Sequence, residues 1–215
     1  MRKKLIVVVG AGPGIGNNVA KKFGSNNFRV VLISRNQEAL NGYVNELQSE
    51  GIETFAVSAD AGNPETLTKA FEKIKKEHGT TDVLVYNSAI KKTGLPTTLS
   101  AESLVSHYQV DVVGALHSVQ QVLPAQLEQN EGTIIFTNGG LALSPSADYT
   151  ALSMGKAALR SLAHSLAEQL SSKGIFVGSV IVTGFVKPDT YYAPSLIAEK
   201  YWELYEKRDE NEIEY

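Results

Sequence analysis

Short apolar runs rich in valine and isoleucine alternate along the chain with longer amphipathic stretches. Such runs, flanked by Gly, Asn or Asp, are typical of strands buried in a parallel sheet, and the stretches between them are typical of crossover helices. The predicted strands are LIVVVG, RVVLIS, ETFAVSA, DVLVYN, GTIIFTN and IFVGSVIV. The predicted helices cover residues 14–25, 37–50, 64–78, 101–130 and about 148–172. Since crossovers are nearly always right-handed, the pattern predicts an α/β fold with a doubly wound parallel sheet and helices on both faces.

The C-terminal region is short. About thirty residues follow Gly184, and VKPDTYYAPSL leads almost directly into the amphipathic IAEKYWELYEK. The charged end, EKRDENEIEY, is typical of a frayed helix followed by a short edge strand. We therefore expect one domain over residues 1–215 with a small lid and a pocket open to water, which suits a bulky or macromolecular partner better than a small enclosed ketone.

Composition narrows the classes of function. The 215 residues include no cysteine, which excludes disulfides, thiolate metal sites and a cysteine nucleophile. The net charge is −3 with no basic block, so a nucleic-acid partner is not expected. The apolar run in MRKKLIVVVG is too short for a signal peptide, and no stretch reaches membrane-spanning length, so we expect a cytoplasmic protein with no membrane partner. His78, His117 and His164 share no ligand-like spacing, and no metal site is predicted.

A glycine-rich turn, GAGPGIG, follows the first strand and opens the first helix. Glycine lets the backbone turn tightly and approach a pyrophosphate, which then lies at the positive end of the helix. This Rossmann-type arrangement predicts a bound nicotinamide dinucleotide, although a tight turn without a ligand is the alternative. The predicted contacts in the turn are Gly10, Gly12, Pro13, Gly14 and Ile15.

The second strand ends in Ser34, Arg35 and Asn36, where a ribose-reading residue is expected. An NAD-binding protein usually has a carboxylate at this position. A guanidinium instead pairs with a 2′-phosphate through a charge-assisted fork, so these residues favour NADP over NAD. The alternative is that Arg35 is a solvated loop arginine.

These features resemble the short-chain dehydrogenase/reductase family over nearly the whole chain. Gly10, Gly14 and Gly16 match its Gly-x-x-x-Gly-x-Gly turn, with Val9 where the family usually has threonine. Asp60, followed by Ala61, is similar to the family's acidic adenine contact.

The resemblance continues after the fourth and sixth strands. The family's Asn-Asn-Ala-Gly is replaced by Tyr86, Asn87, Ser88 and Ala89, and its Pro-Gly by Thr183 and Gly184. The resemblance implies cofactor contacts from residues 87–89, from Gly184 and from Lys156, a lysine that binds the nicotinamide ribose in the family.

The catalytic tetrad of the family is degraded in this chain. The family uses a tyrosine acid, a lysine four residues later, a serine that polarises the carbonyl and a helix asparagine. The matching positions hold Leu152, Lys156, Gly139 and Asp111. The resemblance therefore implies a divergent member in which Lys156 and Asp111 are the remaining catalytic candidates.

Several other side chains are candidates to replace the missing tyrosine acid. Tyr149 lies seven residues before Lys156, about 10 Å away along a helix, and leans away from it. Ser153 would need its own activating base. The i, i+4 spacing of His107 and Asp111 allows a hydrogen-bonded pair on one helix face, and the alternative is a helix-surface or core histidine beside a local partner. Lys156 itself has a non-catalytic alternative, in which it binds the ribose or neutralises Asp111 without transferring a proton.

Two hypotheses follow. The first is an NADP-dependent oxidoreductase acting on an unidentified carbonyl or alcohol substrate, with Lys156, Asp111 or water managing protons. The second is an NADP-binding sensor or partner protein without turnover, because Leu152 and Gly139 oppose the family's usual chemistry. The resemblance also implies a homodimer or homotetramer, since the helices beginning near Ala101 and Asp148 carry more apolar positions than one core face needs.

Overall fold

The computed structural model of the protein describes residues 2–215 and contains a seven-stranded sheet. All neighbouring strands are parallel, in the order β3-β2-β1-β4-β5-β6-β7. The strands are β1 (Leu5–Val9), β2 (Arg29–Ser34), β3 (Thr54–Ser58), β4 (Val83–Tyr86), β5 (Gly132–Gly139), β6 (Ile175–Val182) and β7 (Glu212–Glu214). The six predicted strands are confirmed, and β7 is the short edge strand predicted at the C-terminal end.

Seven α-helices connect the strands. They are α1 (Ile15–Ser25), α2 (Gln37–Ser49), α3 (Pro64–His78), α4 (Ala101–Tyr108), α5 (Gly114–Gln129), α6 (Thr150–Leu170) and α7 (Pro194–Lys207). Side chains cap several of them: Asn36, Asn63 and Ser100 each accept a backbone N–H in the first turn of the following helix. Because these caps lie where the sequence changes from polar loop to amphipathic periodicity, most helix starts were predictable.

The single helix predicted over residues 101–130 is interrupted. A π-helical turn, Gln109–Val113, lies between α4 and α5. Such a turn inserts an extra residue and shifts the register of the side chains that follow, and such turns are frequent at functional sites. Asp111, one of the predicted site residues, lies within it.

Helices cover both faces of the sheet, as expected for a doubly wound fold. Helices α3, α5 and α6 pack on one face, against the side chains of alternate β1 residues such as Val7. Helices α1, α2 and α7 pack on the other, against their β1 neighbours such as Val8. The strands read as continuous apolar runs because both faces are buried.

This topology places the carboxyl ends of β1, β2, β3 and β4 at one edge of the sheet. The chain reverses direction across the sheet between β1 and β4, which is the switch point where ligands bind in open α/β sheets. Across residues 2–215, no helix has both the length and the apolar character needed to cross a bilayer.

Candidate active site

A cleft of about 660 Å³, a volume that includes the open solvent at its mouth, lies at the switch point. It gathers eight of the predicted cofactor contacts: Gly10, Ser34, Arg35, Asp60, Ala61, Asn87, Ser88 and Ala89. Five residues that the sequence does not single out also line the cleft: Ala11, Ile33, Ala59, Ile90 and Val110. These are small or apolar residues whose position follows from the ends of the strands, so only the fold identifies them.

The glycine turn has two kinds of glycine. Gly10 has a positive φ of +92°, and a Cβ there would lie 2.5 Å from the Ser88 backbone nitrogen. A Cβ on Gly16 would lie 2.7 Å from the Gly10 carbonyl oxygen. These two glycines are required by the fold itself.

Gly12 and Gly14 are different. A Cβ at either position would meet no atom within 4 Å. Gly14 is the N-cap of α1, no side chain caps this helix, and its first turn has no acidic residue. The space in front of Gly12 and Gly14 is therefore open to an anion at the positive end of α1. Pro13 and Ile15 belong to the same turn.

Arg35 follows directly after β2 and is exposed at the rim of the cleft. Within residues 2–215 its guanidinium makes no ion pair or hydrogen bond, whereas its carbonyl accepts a bond from the Ser58 hydroxyl at 3.1 Å. Asn36 caps α2 by accepting from the Ala39 N–H at 3.0 Å. The Arg35 side chain is thus free to contact a ligand, while the Asn36 side chain has a structural partner.

Two further side chains shape the cleft walls. Asp60 accepts the Gly62 N–H at 2.9 Å, and Asn87 donates to the Gly10 carbonyl at 2.8 Å. These bonds fix the carboxylate of Asp60 at the end of β3 and join the β4 loop to the glycine turn.

Lys156 lies in α6 and is buried. Its ammonium donates to the Thr137 carbonyl at 2.8 Å, on β5. Burial lowers the pKa of Lys156 from 10.5 to about 8, the Asp111 charge opposes that change, and the Lys91 charge adds to it. No ion pair joins Lys156 to Asp111 among residues 2–215, so the two charges interact only at longer range.

Asp111 is fully buried beneath the loop that follows β4. Its Oδ1 accepts the Ile90 N–H at 3.0 Å, while its Oδ2 has no hydrogen-bond partner. This Oδ2 faces Gly155, where a Cβ would lie 2.6 Å from it. Burial raises the pKa of the Asp111 carboxyl, and the positive charge of Lys156 only partly opposes the rise.

The hydrogen-bonded pair that the spacing of His107 and Asp111 allows is not formed, and the alternative of a core histidine beside a local partner is confirmed. His107 Nδ1 instead contacts the Ser103 carbonyl at 2.8 Å, and its Nε2 has no partner. The π-helical turn begins between the two residues and changes the spacing that an α-helix would give. His107 is a core residue of α4.

The other positions that the resemblance aligns with the family's tetrad hold no proton donor. Leu152 is buried in the first turns of α6. Gly139 ends β5, and a Cβ there would have only the Val182 carbonyl within 4 Å, at 3.7 Å. Tyr149 precedes α6, and the Ser153 hydroxyl accepts the Ser146 N–H at 3.1 Å, a structural bond.

Gly184 lies outside the cleft and is covered by an aromatic ring. A Cβ on Gly184 would lie 2.1 Å from the Tyr192 ring, and the Tyr192 hydroxyl is 3.1 Å from the Thr183 hydroxyl. Tyr215 donates its own hydroxyl to the Tyr191 carbonyl at 2.8 Å. The short loop after β6 is therefore folded back on the end of that strand.

Thr137 links the two sides of the sheet. Its carbonyl accepts from Lys156 on one side, and its hydroxyl lies 2.5 Å from the hydroxyl of Tyr201, a fully buried residue of α7 on the other. The lysine is thereby held by a strand residue that is itself fixed by the opposite helical layer.

Comparison with known proteins gives the same family along most of the chain. Residues 4–194 match the family described as short chain dehydrogenase. An uncharacterized oxidoreductase of Staphylococcus saprophyticus is 28% identical over 183 residues, covering 84% of this chain and 77% of that protein. The 3-oxoacyl-[acyl-carrier-protein] reductase FabG of Staphylococcus epidermidis is 27% identical over 190 residues, covering 86% and 76%.

Solved structures agree with this assignment. A short-chain dehydrogenase from Rhodopseudomonas palustris has a TM-score of 0.89 at 26% identity and covers 100% of this chain and 99% of its own. A metagenomic short-chain oxidoreductase in complex with NADP also has a TM-score of 0.89 at 26% identity, covering 99% and 95%. Because the family model matches residues 4–194 and the fold agrees with these solved structures, the chain belongs to the short-chain dehydrogenase family.

Proposed function

We propose that the protein is an NADP-dependent oxidoreductase acting on a carbonyl or alcohol substrate. The observation that carries this proposal is the open glycine turn. Gly12 and Gly14 have no neighbour that would exclude a side chain, so the protein's own packing does not require glycine there. Close approach of a ligand phosphate to the backbone supplies the reason.

The residues present fit a nicotinamide dinucleotide. The turn at residues 10–16 would hold the pyrophosphate, Asp60 and Ala61 the adenine, and Arg35 a 2′-phosphate. Asn87 to Ala89 and Lys156 would contact the nicotinamide end. The solved family member with bound NADP supports this cofactor for the present chain.

The bound cofactor would supply the hydride, and this chain's own residues would manage charge and protons. Lys156 is placed at the carboxyl end of β5 and has a pKa of about 8, so near neutral pH it is mostly charged and able to hold a ribose hydroxyl. Leu152 and Gly139 offer the substrate oxygen neither a proton nor a hydrogen bond. Losing a positioned acid typically costs 10²- to 10⁴-fold in rate, so we expect negligible turnover of simple aldehydes, ketones and diketones.

A second candidate function is an NADP-binding protein without turnover. Leu152 and Gly139 favour it, because the resemblance aligns them with the family's tyrosine acid and carbonyl-binding serine, and neither side chain can take over those roles. A structure of the protein soaked with NADP and a carbonyl compound would separate the two candidates, by revealing which side chains approach the reacting carbon.

Arg35→Ala is expected to weaken NADPH binding about ten- to a hundredfold while leaving NADH binding unchanged. The reason is the loss of one charge-assisted phosphate contact, worth about 1.5 to 3 kcal/mol. Titration calorimetry with both cofactors measures the effect, and NADH serves as the internal control. Unchanged affinity of the variant for both cofactors would show that Arg35 is only a solvated loop residue.

We also propose a homodimer or homotetramer formed by the face that α4, the π-helical turn and α5 share. Val105, Val113 and Leu116 are exposed along this face, and Met154 of α6 is exposed nearby. An isologous contact between two copies would bury these apolar side chains.

Leu116→Asp is expected to convert the oligomer to a monomer, because the interface would then bury an unpaired carboxylate. Light scattering at micromolar concentration measures the mass. Leu196→Asp, at an exposed leucine of α7, is the matched control and should leave the mass unchanged. A monomeric native protein would refute the assembly.

A further inference from the structure

Tyr86 ends β4, and its ring is fully buried on the sheet face that α3, α5 and α6 cover. Its hydroxyl donates to the Val110 carbonyl, which joins the end of a central strand to the π-helical turn. The residues that follow Tyr86, Asn87 to Ala89, line the cleft, and so does Val110. Tyr86 itself does not line the cleft and lies behind this wall.

The π-helical turn explains why the Val110 carbonyl needs a partner. In an α-helix this carbonyl would accept the N–H of Gly114, four residues later. The Gly114 N–H donates instead to the Gln109 carbonyl, as the wider turn requires. The Val110 carbonyl thereby loses its helical donor, and a carbonyl left unpaired in the interior is costly. The Tyr86 hydroxyl supplies the replacement donor.

Gly114 allows the turn to lie this close to β4. A Cβ at this position would lie 2.6 Å from the Tyr86 hydroxyl oxygen and would overlap the Ala61 carbonyl oxygen. A second bond, from the Ile90 N–H to Asp111 Oδ1 at 3.0 Å, holds the next residue of the turn. The turn is therefore held by the end of β4 and by the loop that follows it.

The Val110 side chain lies at the end of the cleft proposed for adenine. A Cβ on Gly62 would lie 3.0 Å from Val110 Cγ2 and 3.5 Å from Asp60 Oδ1, so the methyl group and the carboxylate border the same glycine. Asp60 and Ala61 are the proposed adenine contacts. The place of Val110 in this wall depends on the backbone of the π-helical turn, which Tyr86 holds.

We propose that Tyr86 is a positioning residue for the cofactor: its hydroxyl holds the Val110 carbonyl and so keeps the Val110 side chain in the wall beside the adenine. This inference rests on the proposed function, because it concerns the cofactor that the cleft would bind. The family has the first asparagine of Asn-Asn-Ala-Gly at this position, and the longer tyrosine reaches the turn directly. Without the hydroxyl, the turn would rearrange to pair the free carbonyl and would displace Val110.

The test compares the two halves of the cofactor. Adenosine 2′,5′-bisphosphate and nicotinamide mononucleotide are titrated calorimetrically into the native protein and into Tyr86→Phe, which keeps the packed ring and removes only the hydroxyl. We expect Tyr86→Phe to weaken bisphosphate binding about tenfold and to leave mononucleotide binding unchanged. Tyr205→Phe is the matched control, because it removes a hydroxyl that Lys4 contacts at 3.2 Å at the opposite, amino end of the sheet. It should bind both halves as the native protein does.

A double-mutant cycle separates positioning from general destabilisation. Val110→Ala removes the side chain that the turn presents, and it should also weaken the bisphosphate and not the mononucleotide. In the Val110→Ala background, Tyr86→Phe should weaken the bisphosphate by less than about twofold more, since no positioned side chain is left to lose. Equal weakening of both halves, additive effects of the two substitutions, or unchanged bisphosphate binding by Tyr86→Phe would each overturn the proposal.

A crystal structure of Tyr86→Phe without cofactor separates this inference from the proposed function. If the native protein binds neither NADPH nor the bisphosphate, the proposed function is refuted, and the structure still decides whether Tyr86 positions the wall. Rearrangement of residues 109–113 with displacement of Val110 supports the positioning role. A π-helical turn and a Val110 side chain that stay in place overturn it.

Discussion

Combining Leu152→Tyr, Gly139→Ser and Asp111→Asn is expected to give measurable NADPH oxidation with simple ketones. The native protein and Leu152→Tyr alone should remain near background. The new tyrosine lies four residues before Lys156, on the same helical face, where the ammonium lowers the phenol pKa toward neutrality. The new serine supplies a hydrogen bond to the substrate oxygen, and removal of such a donor typically costs ~10²- to 10³-fold.

Local packing allows these replacements to differing degrees. Gly139 has open space where a Cβ would lie, with the Val182 carbonyl at an ordinary 3.7 Å. Asp111→Asn keeps the oxygen that accepts the Ile90 N–H and removes a negative charge that would raise the new tyrosine's pKa. Leu152 is buried, so a tyrosine ring there must extend toward the cleft.

The measurement is NADPH absorbance decay against a panel of aldehydes, ketones and diketones. Cofactor affinity is determined first in every variant, so that loss of binding is not mistaken for loss of chemistry. Robust turnover by the native protein that survives Tyr149→Phe and His107→Ala would show that the missing acid is not what limits the reaction.

Replacing the buried charges, with Asp111→Asn and Lys156→Met together, is expected to raise the free energy of unfolding by about 1 to 4 kcal/mol near pH 7. Lys156 is buried with a single hydrogen bond to the Thr137 carbonyl, and Asp111 Oδ2 has no partner. Both charges are therefore incompletely compensated for the loss of water.

The pH dependence of the free energy of unfolding tests whether the buried charges cause this difference in stability. The pKa of Lys156 falls from 10.5 to about 8 on folding, a difference of roughly 3 kcal/mol. Below about pH 8 Lys156 is protonated in both the folded and the unfolded state, and the folded state carries the full free-energy cost of burying its charge. Between about pH 8 and 10.5 the folded state releases the proton first, so stability rises with pH. Asp111, with a raised pKa, has the opposite effect: stability falls as pH rises from 3.8 through its folded value.

Urea unfolding followed by the fluorescence of Trp202, which packs edge-on against Phe23 and Phe28, measures these differences. The advantage of the double variant over the native protein should shrink as the pH rises above about 8. Each single variant completes a double-mutant cycle and isolates the coupling between the charges. A double variant less stable than the native protein, or an advantage that does not vary with pH, would contradict this account.

Most of the fold followed from the sequence because its signals are local. Runs such as those in β1 and β6 are apolar at every position, which indicates strands buried on two faces, and residues such as Asn63 mark where helices begin. The π-helical turn at Gln109–Val113 was not predictable. Its residues have ordinary helical periodicity, so the sequence does not mark the extra residue that the turn inserts.

The candidate site likewise contains residues that the sequence identifies and contacts that only the fold reveals. The glycine turn and Arg35 were identifiable because they are adjacent in sequence to the strands that place them. The bond from the Ile90 N–H to Asp111, a contact between distant parts of the chain, has no such local signal in the sequence. The proposed pairing of His107 failed because helical spacing was assumed where the helix changes type.

The contact of Thr137 with both Lys156 and Tyr201 has a consequence for engineering this protein. Helix α7 lies on the sheet face opposite α6, yet its buried tyrosine hydroxyl holds the strand residue whose carbonyl fixes the lysine. The C-terminal helix therefore cannot be exchanged or redesigned as an independent outer layer. A graft that alters Tyr201 changes the support of Lys156 from behind the sheet, and chimeras with other proteins must carry β5, α6 and α7 as one unit.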